Sequence, residues 1–420
     1  MTDDTAPAGP EAIPSREPSI REPRLFWLLV ITNGFVGTMI GTERTLVPLI
    51  GEQEFGVGSK FAILSFIATF GIVKAFSNLA AGAWSDRIWR KRVLLAGWAV
   101  GLPVPLILMF APAPHWWLII AANILLGVNQ GLCWSMTVVM KVDLASARRR
   151  GFAVGMNEFA GYFAVSASAF ATGYLASQFG LRPWPFLIGL GAALAGLAVT
   201  ALGASETRLG APSGAQGVRD IRVFWKLSWS DPGVRALNLA GLAKNLNDGV
   251  AWGLFPIFFL AVLRDPAAVG LLVSAYPLTW SIGQLVTGPL SDSIGRKSLI
   301  VGGMFAQSAA LLVLPLTSGL PTWLGLMCLL GAGTAMVYPT LLSAVGDSAR
   351  QSERGTAMGI YRFWRDSGFA VGALGGGIAA DLLGIGPALG IVGAVTALAG
   401  LNVLLSFRPV AVPDAQGEAI

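Results

Sequence analysis

The chain has 420 residues, of which 54% are hydrophobic and only 12% are Asp, Glu, Lys or Arg, against about a quarter charged in ordinary soluble domains. With 53 Gly, 24 Pro and a mean hydropathy of +0.66, this excludes a soluble globular protein, because so much apolar surface needs lipid as its solvent. The net charge of +6 would suggest nucleic acid in a soluble chain; here its placement along the sequence carries the information instead, and no nucleic-acid partner is expected.

Residues 1–23 are rich in Pro, Glu, Asp and Arg and read as a disordered cytoplasmic tail. They lack the basic start, apolar stretch and small-residue cleavage site of a secretory signal. Twelve apolar segments follow, near 25–50, 59–83, 93–111, 115–142, 152–177, 185–204, 234–263, 268–290, 298–317, 321–346, 356–381 and 386–407. At 1.5 Å per residue about 20 residues cross the ~30 Å hydrocarbon layer, so each qualifies as a helical span. Pro48, Pro103, Pro256, Pro315 and Pro339 predict bends within them.

The spacing predicts a six-helix bundle over 24–204, a linker over 205–233, a second six-helix bundle over 234–408 and a cytoplasmic tail over 409–420. In the linker, Val218, Ile221, Trp225 and Trp229 recur every three or four residues opposite Arg219, Asp220, Arg222 and Lys226, the pattern of an interfacial helix. With the N-terminus inside, one side of the membrane carries 21 Lys and Arg while the other has Lys60, Arg182 and Arg264. Positive charge therefore sets both termini in the cytoplasm.

Cys133 and Cys328 lie in apolar runs and offer neither a disulfide framework nor metal-ligand spacing. The single histidine, His115, sits in a Pro-rich turn and is set aside as a loop residue. No nucleophile, metal or phosphate-loop constellation is present, so neither enzymatic activity nor a cofactor is expected.

The halves repeat each other. Gly82-Ala83-Trp84-Ser85-Asp86-Arg87-Ile88-Trp89-Arg90-Lys91 answers Gly288-Pro289-Leu290-Ser291-Asp292-Ser293-Ile294-Gly295-Arg296-Lys297, and Asp143 with Arg150-Gly151 answers Asp347 with Arg354-Gly355. On these residues the chain resembles the major facilitator superfamily over 24–408, the first pair matching its loop Gly-x-x-x-Asp-Arg-x-Gly-Arg-Lys; Trp89 replaces the usual Gly in the first copy. The resemblance implies an all-α membrane protein of two pseudo-symmetric bundles, a monomeric multi-pass transporter of the inner membrane moving a small solute by alternating access. It implies a cytoplasmic gate at Asp86 and Asp292, with Arg87, Arg90, Asp143, Arg296 and Asp347 on the same side. Two marks of the family's proton-linked drug exporters are missing: Gly127 stands where they carry Arg before Gln130-Gly131, and the fifth span has no Gly-Pro.

Nine ionisable residues fall inside spans: Glu43, Arg44, Lys74, Glu158, Lys244, Asp248, Arg362, Arg365 and Asp366. Left unpaired at mid-membrane, each would cost about 2.5 to 3.5 kcal/mol, so they must pair, protonate or face water. Lys244 with Asp248, and Arg362 with Asp366, are four apart and share a helix face, which predicts two local ion pairs. Asn245 and Trp252 extend the polar, aromatic wall of the seventh span. Lys74 wants an anion, either a protein carboxylate (Glu43, Glu158 or Asp366) or a substrate group. Trp134 and Tyr338 are repeat equivalents, and Asn129 and Gln130 lie one turn from Trp134. These residues make up the candidate solute or proton site. Five cations against four carboxylates favour an organic or oxyanionic solute, with protons as the candidate coupling ion. Proton-linked multidrug efflux and a membrane sensor that binds without transporting are the alternatives.

Overall fold

The computed structural model describes residues 20–85, 88–146, 149–207, 221–349 and 354–408. Asp86 and Arg87, the tail residues 1–19 and 409–420, and the linker residues 208–220 lie outside them.

Among the described residues the secondary structure is helical, and ten helical stretches are long and apolar enough to cross a membrane. The first stretch is α1 (Pro23–Arg44) continued by α2 (Val47–Gln53), followed by α3 (Lys60–Ser85). The third joins α4 (Arg90–Gly101) to α5 (Pro103–Phe110). Then come α6 (Trp116–Leu144), α7 (Arg150–Phe179) and α8 (Leu187–Gly203). After the short α9 (Ile221–Trp229) the second half repeats the pattern: α10 (Pro232–Leu263), α11 (Pro266–Ile294), α12 (Arg296–Val313), α13 (Leu320–Ser348), α14 (Arg354–Leu383) and α15 (Ile385–Ser406). The 30-residue α7 and α14 are also long enough to span, at about 45 Å each, and bring the stretches to twelve. They are the fifth and eleventh, and they carry Glu158 and the Arg362–Asp366 run.

Proline acts unevenly. The helix breaks ahead of Pro48 and Pro103, where the ring removes an N–H and clashes with the preceding turn. Pro256 and Pro339 are absorbed inside unbroken helices, and Pro315 falls in a 3-10 turn after α12.

The first and last described segments sit at one end of the bundle. The N–H of Arg21 donates to the Leu144 carbonyl at 2.9 Å, and Gly233 at the start of α10 lies against Phe407 and the Ser406 carbonyl. A helix forms in the linker as α9, and its aromatic side chains pack on protein. Phe224 is 5.4 Å from the ring of Phe363, Trp229 is 5.0 Å from Trp364, and the Trp364 indole donates to Ser228 Oγ at 3.0 Å. Trp225 is 52% exposed.

The halves meet along two seams, α3 against α14 and α7 against α11. At the end away from the termini these seams reach backbone contact. A Cβ on Gly173 would lie 2.7 Å from Gly270 Cα, and one on Gly377 2.7 Å from Phe61 Cα. Within the second half, Gly372 lies against α10, where a Cβ would stand 2.2 Å from the Leu246 carbonyl oxygen, whereas Gly375 faces open space. Small residues allow this because helix association in lipid rests on close packing. Gly173→Val is therefore expected to lower the stability of the purified protein by about 1 to 3 kcal/mol through overpacking, read as a reduced unfolding midpoint in detergent.

Candidate functional site

Glu158 lies eight residues into α7 and Arg365 eleven into α14, about 12 and 17 Å from the termini end. Around them the two bundles exchange polar contacts. The Trp134 indole donates to Glu158 Oε1 at 2.8 Å and the Tyr338 hydroxyl donates to Glu158 Oε2 at 3.0 Å, so one carboxylate of the first half joins helices of both. Arg365 Nη1 donates to the Tyr338 oxygen at 3.2 Å. Its Nη2 lies 2.7 Å from Asp366 Oδ1. Asp366 reaches back across the seam, accepting from Asn78 Nδ2 at 2.8 Å, and the Asn78 carbonyl oxygen accepts from Ser135 at 3.0 Å. Asn245 Nδ2 approaches Asp366 Oδ1 at 3.4 Å. Glu158, Arg365 and Asp366 are 8, 9 and 1% exposed.

Beside this bridge lies the Lys244–Asp248 pair at 2.6 Å, formed at the predicted i,i+4 spacing. Asp248 also accepts from the Tyr276 hydroxyl, which in turn meets Thr334 Oγ1 at 3.2 Å. The Lys244 ammonium stands 3.7 Å from the centre of the Trp280 ring and 5.0 Å from that of Tyr338. The other predicted pair does not form. Asp366 bonds its sequence neighbour Arg365, and half-buried Arg362 makes no ion pair among the described residues. Arg365 can fold back on Asp366, and the carboxylate's remaining capacity is taken across the seam by Asn78.

Aromatic rings line the same space. Trp134 packs 5.3 Å from Tyr162, and Trp280 5.1 Å from Tyr338. Lys74 lies among Phe70, Trp134 and Phe369, 5.4 to 5.6 Å from each ring centre. Further from the termini, Glu43 and Arg44 are fully buried. The Arg44 guanidinium lies 4.4 Å from the Trp252 ring centre and 4.6 Å from that of Phe70, with no hydrogen-bond partner.

Asn129 and Gln130 are placed differently from the rest. Asn129 donates to the Gly97 carbonyl at 2.9 Å and Gln130 to the Val36 carbonyl at 2.9 Å, so both fasten α6 to its neighbours inside the first bundle. Tyr162, Tyr276 and Trp280 were not anticipated. The Tyr276-Pro277 dipeptide, which repeats Tyr338-Pro339 on another span, was the available signal for Tyr276.

At the termini end the internal repeat becomes a repeated ion pair. Arg90 on α4 bonds Asp143 on α6. Its counterpart, Arg296 on α12, lies 2.7 Å from Asp347 on α13. Each pair is internal to one bundle, while the Asp292 side chain lies outside the described residues. At the opposite end Asp381 of α14 caps the start of α3. Ser59 Oγ and the Lys60 N–H donate to it at 2.6 Å and the Phe61 N–H at 3.1 Å. These bonds cross between the halves.

A family model described as Major Facilitator Superfamily matches residues 26–261 and 237–419. The chain is 32% identical over 117 residues to an uncharacterized MFS-type transporter of Methanocaldococcus jannaschii, covering 28% of this chain and 30% of that one. A chloramphenicol resistance protein of Pseudomonas aeruginosa is 31% identical over 141 residues, covering 32% and 30%. The inner membrane transport protein YajR of Escherichia coli is 26% identical over 152 residues, covering 32% and 33%. The matched stretch thus spans about a third of each relative's length. Among solved structures, the human organic anion transporter MFSD10 superposes with a TM-score of 0.68 at 17% identity over 91% of this chain and 99% of that one. A POT family transporter in complex with 5-aminolevulinic acid gives 0.73 at 14% identity over 90% and 95%. At these identities the structural likeness concerns the fold.

Proposed function

The chain belongs to the Major Facilitator Superfamily, and on that premise we propose that this multi-pass membrane transporter carries a small organic or oxyanionic anion by alternating access, coupled to protons. The observation that carries the reading is the polar bridge Trp134–Glu158–Tyr338–Arg365–Asp366–Asn78, built half from each bundle and buried at mid-depth. A solute held there touches both halves at once, so its binding free energy can act on their relative position. Charged groups retained at such depth are expensive unless they serve a pathway.

Within the bridge Glu158 is the carboxylate suited to carry a proton. Asp366 is paired with Arg365 and Asp248 with Lys244, whereas Glu158 accepts from neutral donors, Trp134, Tyr338 and, at 3.4 Å, Asn157. The Lys and Arg distribution supports cytoplasmic termini, which makes the end closed by Asp381 the outer one.

In proteoliposomes an imposed pH gradient is expected to drive solute uptake by the wild-type protein. Glu158→Gln should lose at least about tenfold of that gradient-driven flux while keeping solute counterflow, since it removes the proposed proton-carrying carboxyl and little volume. Gradient-driven flux equal to wild type in this variant would remove Glu158 as the proton carrier, and absence of any flux response to pH would remove proton coupling. Export of amphipathic drugs is the second reading, supported by relatives named for chloramphenicol and multidrug resistance. It requires resistance that disappears when expression is abolished.

A further inference from the structure

Three cations of the buried cluster have neither a hydrogen bond nor an ion pair among the described residues: Arg44, Lys74 and Arg362. Arg44 is 0% exposed and sealed under aromatic rings, and Arg362 is half-buried. Lys74 lies between these extremes, 8% exposed on the α3–α14 seam. The carboxylates that would neutralise it are engaged elsewhere. Glu158 accepts from Trp134 and Tyr338, and Asp366 from Arg365 and Asn78. A buried ammonium with three donors and no acceptor is costly, and ring faces offset only part of that cost.

Resting on the transport reading above, we propose that Lys74 is the anchor for the headgroup of an aromatic monocarboxylate. The charge argument comes first. Arg365 pairs with Asp366 and Lys244 with Asp248, which leaves the carboxylates Glu43 and Glu158 against Arg44, Lys74, Lys141 and Arg362. Cations are in excess, and a negative charge on the solute offsets part of that excess. The shape argument follows from the rings. A carboxylate hydrogen-bonded to the ammonium sits about 2.8 Å from Nζ, so a ring attached to it lies roughly at the distance of Phe70, Trp134 and Phe369, whose centres are 5.4 to 5.6 Å from Nζ. Trp134 continues into Tyr162, and Tyr162 into Trp280 and Tyr338, so the ammonium borders a run of aromatic rings contributed by both halves, the surroundings that favour a planar aromatic solute. A simple inorganic oxyanion would use the charge and waste the rings.

The test uses purified full-length protein in detergent with benzoate, phenylacetate and indole-3-acetate, each compared with its neutral amide and with acetate. Aromatic carboxylates are expected to raise the unfolding midpoint, amides and acetate far less. Lys74→Gln should weaken carboxylate binding at least about thirtyfold, and Lys74→Arg should retain part of it. The ligand-free Lys74→Gln protein should melt no lower than wild type, because it gives up a buried charge that has neither a hydrogen bond nor an ion pair among the described residues; a lower midpoint would mean that Lys74 supports the fold and would count against the anchor. Amides as effective as carboxylates, undiminished binding by Lys74→Gln, or no response to any of the three acids would overturn the proposal. Counterflow of a bound acid in proteoliposomes separates the two readings. Binding without counterflow refutes transport and leaves the anchor standing, whereas counterflow unaffected by Lys74→Gln refutes the anchor and leaves transport standing.

Discussion

Asp248→Ala is expected to destabilise the protein by about 3 to 5 kcal/mol, the loss measured when one partner of a buried ion pair is removed. Both members are buried to within 1% of their surface, so the ammonium of Lys244 would be left without its carboxylate 2.6 Å away and the Tyr276 hydroxyl without its acceptor. The Trp280 ring, 3.7 Å from the ammonium, recovers only about 1 to 2 kcal/mol of that loss. The discriminating comparison is the double variant Lys244→Met with Asp248→Leu, in which no charge is stranded. Its unfolding midpoint in detergent should return most of the way to wild type, while solute flux should stay abolished if the pair belongs to the solute site. A double variant as unstable as the single one would mean that Asp248 acts through Tyr276 and Thr334, and full flux in it would return the pair to a purely structural role.

Asp381→Ala has the second large effect, and it falls on conformation. The carboxylate accepts three hydrogen bonds from the start of α3, two of them from backbone N–H groups at a helix N-terminus. Loss of such a cap costs about 0.5 to 2 kcal/mol, with up to about 1 kcal/mol more from the unopposed helix dipole. Because α3 and α14 belong to different halves, the loss bears on the closed arrangement and not on either bundle alone. The closed population should fall about tenfold relative to the open one. A cysteine at Leu64 of α3, buried beneath Gly253 of α10, reports it: maleimide labelling from outside should accelerate about tenfold in the variant. Asp381→Asn, which keeps an acceptor and loses the charge, should fall between. Labelling rates that match wild type in both variants would show that the backbone contact of Gly377 with Phe61 closes this end unaided.

The sequence made the spans legible because a bilayer demands about 20 consecutive apolar residues and tolerates few charges. It made the two-bundle plan legible because Asp86 and Asp292, and Asp143 and Asp347, repeat at a near-constant interval. The charged residues of the buried polar cluster were legible for the same reason that they are costly. Their partners were not. Spacing foresaw Lys244 with Asp248, yet Asp366 bonds Arg365 and Asn78 instead of Arg362, since helix register across the seam decides which donors arrive. Asn129 and Gln130 looked like site residues by position, but an amide inside a span can satisfy itself on a neighbouring carbonyl, as both do. Asp381 gave no local signal, because its partners lie more than 300 residues earlier in the chain.

The connection between the halves divides its loyalties. Thr207 donates to Asp143 at 2.8 Å, and Glu206 accepts from the Lys91 N–H at 3.2 Å, which ties the linker's beginning to the first bundle. From α9 onward it clings to the second, through Ser228 with Asn238 and Trp364. A gene cut between the codons for Thr207 and Ile221 would therefore yield two polypeptides, each keeping its own fastenings. Co-expressed, they should find one another in the bilayer and reconstitute a working carrier without any covalent tether.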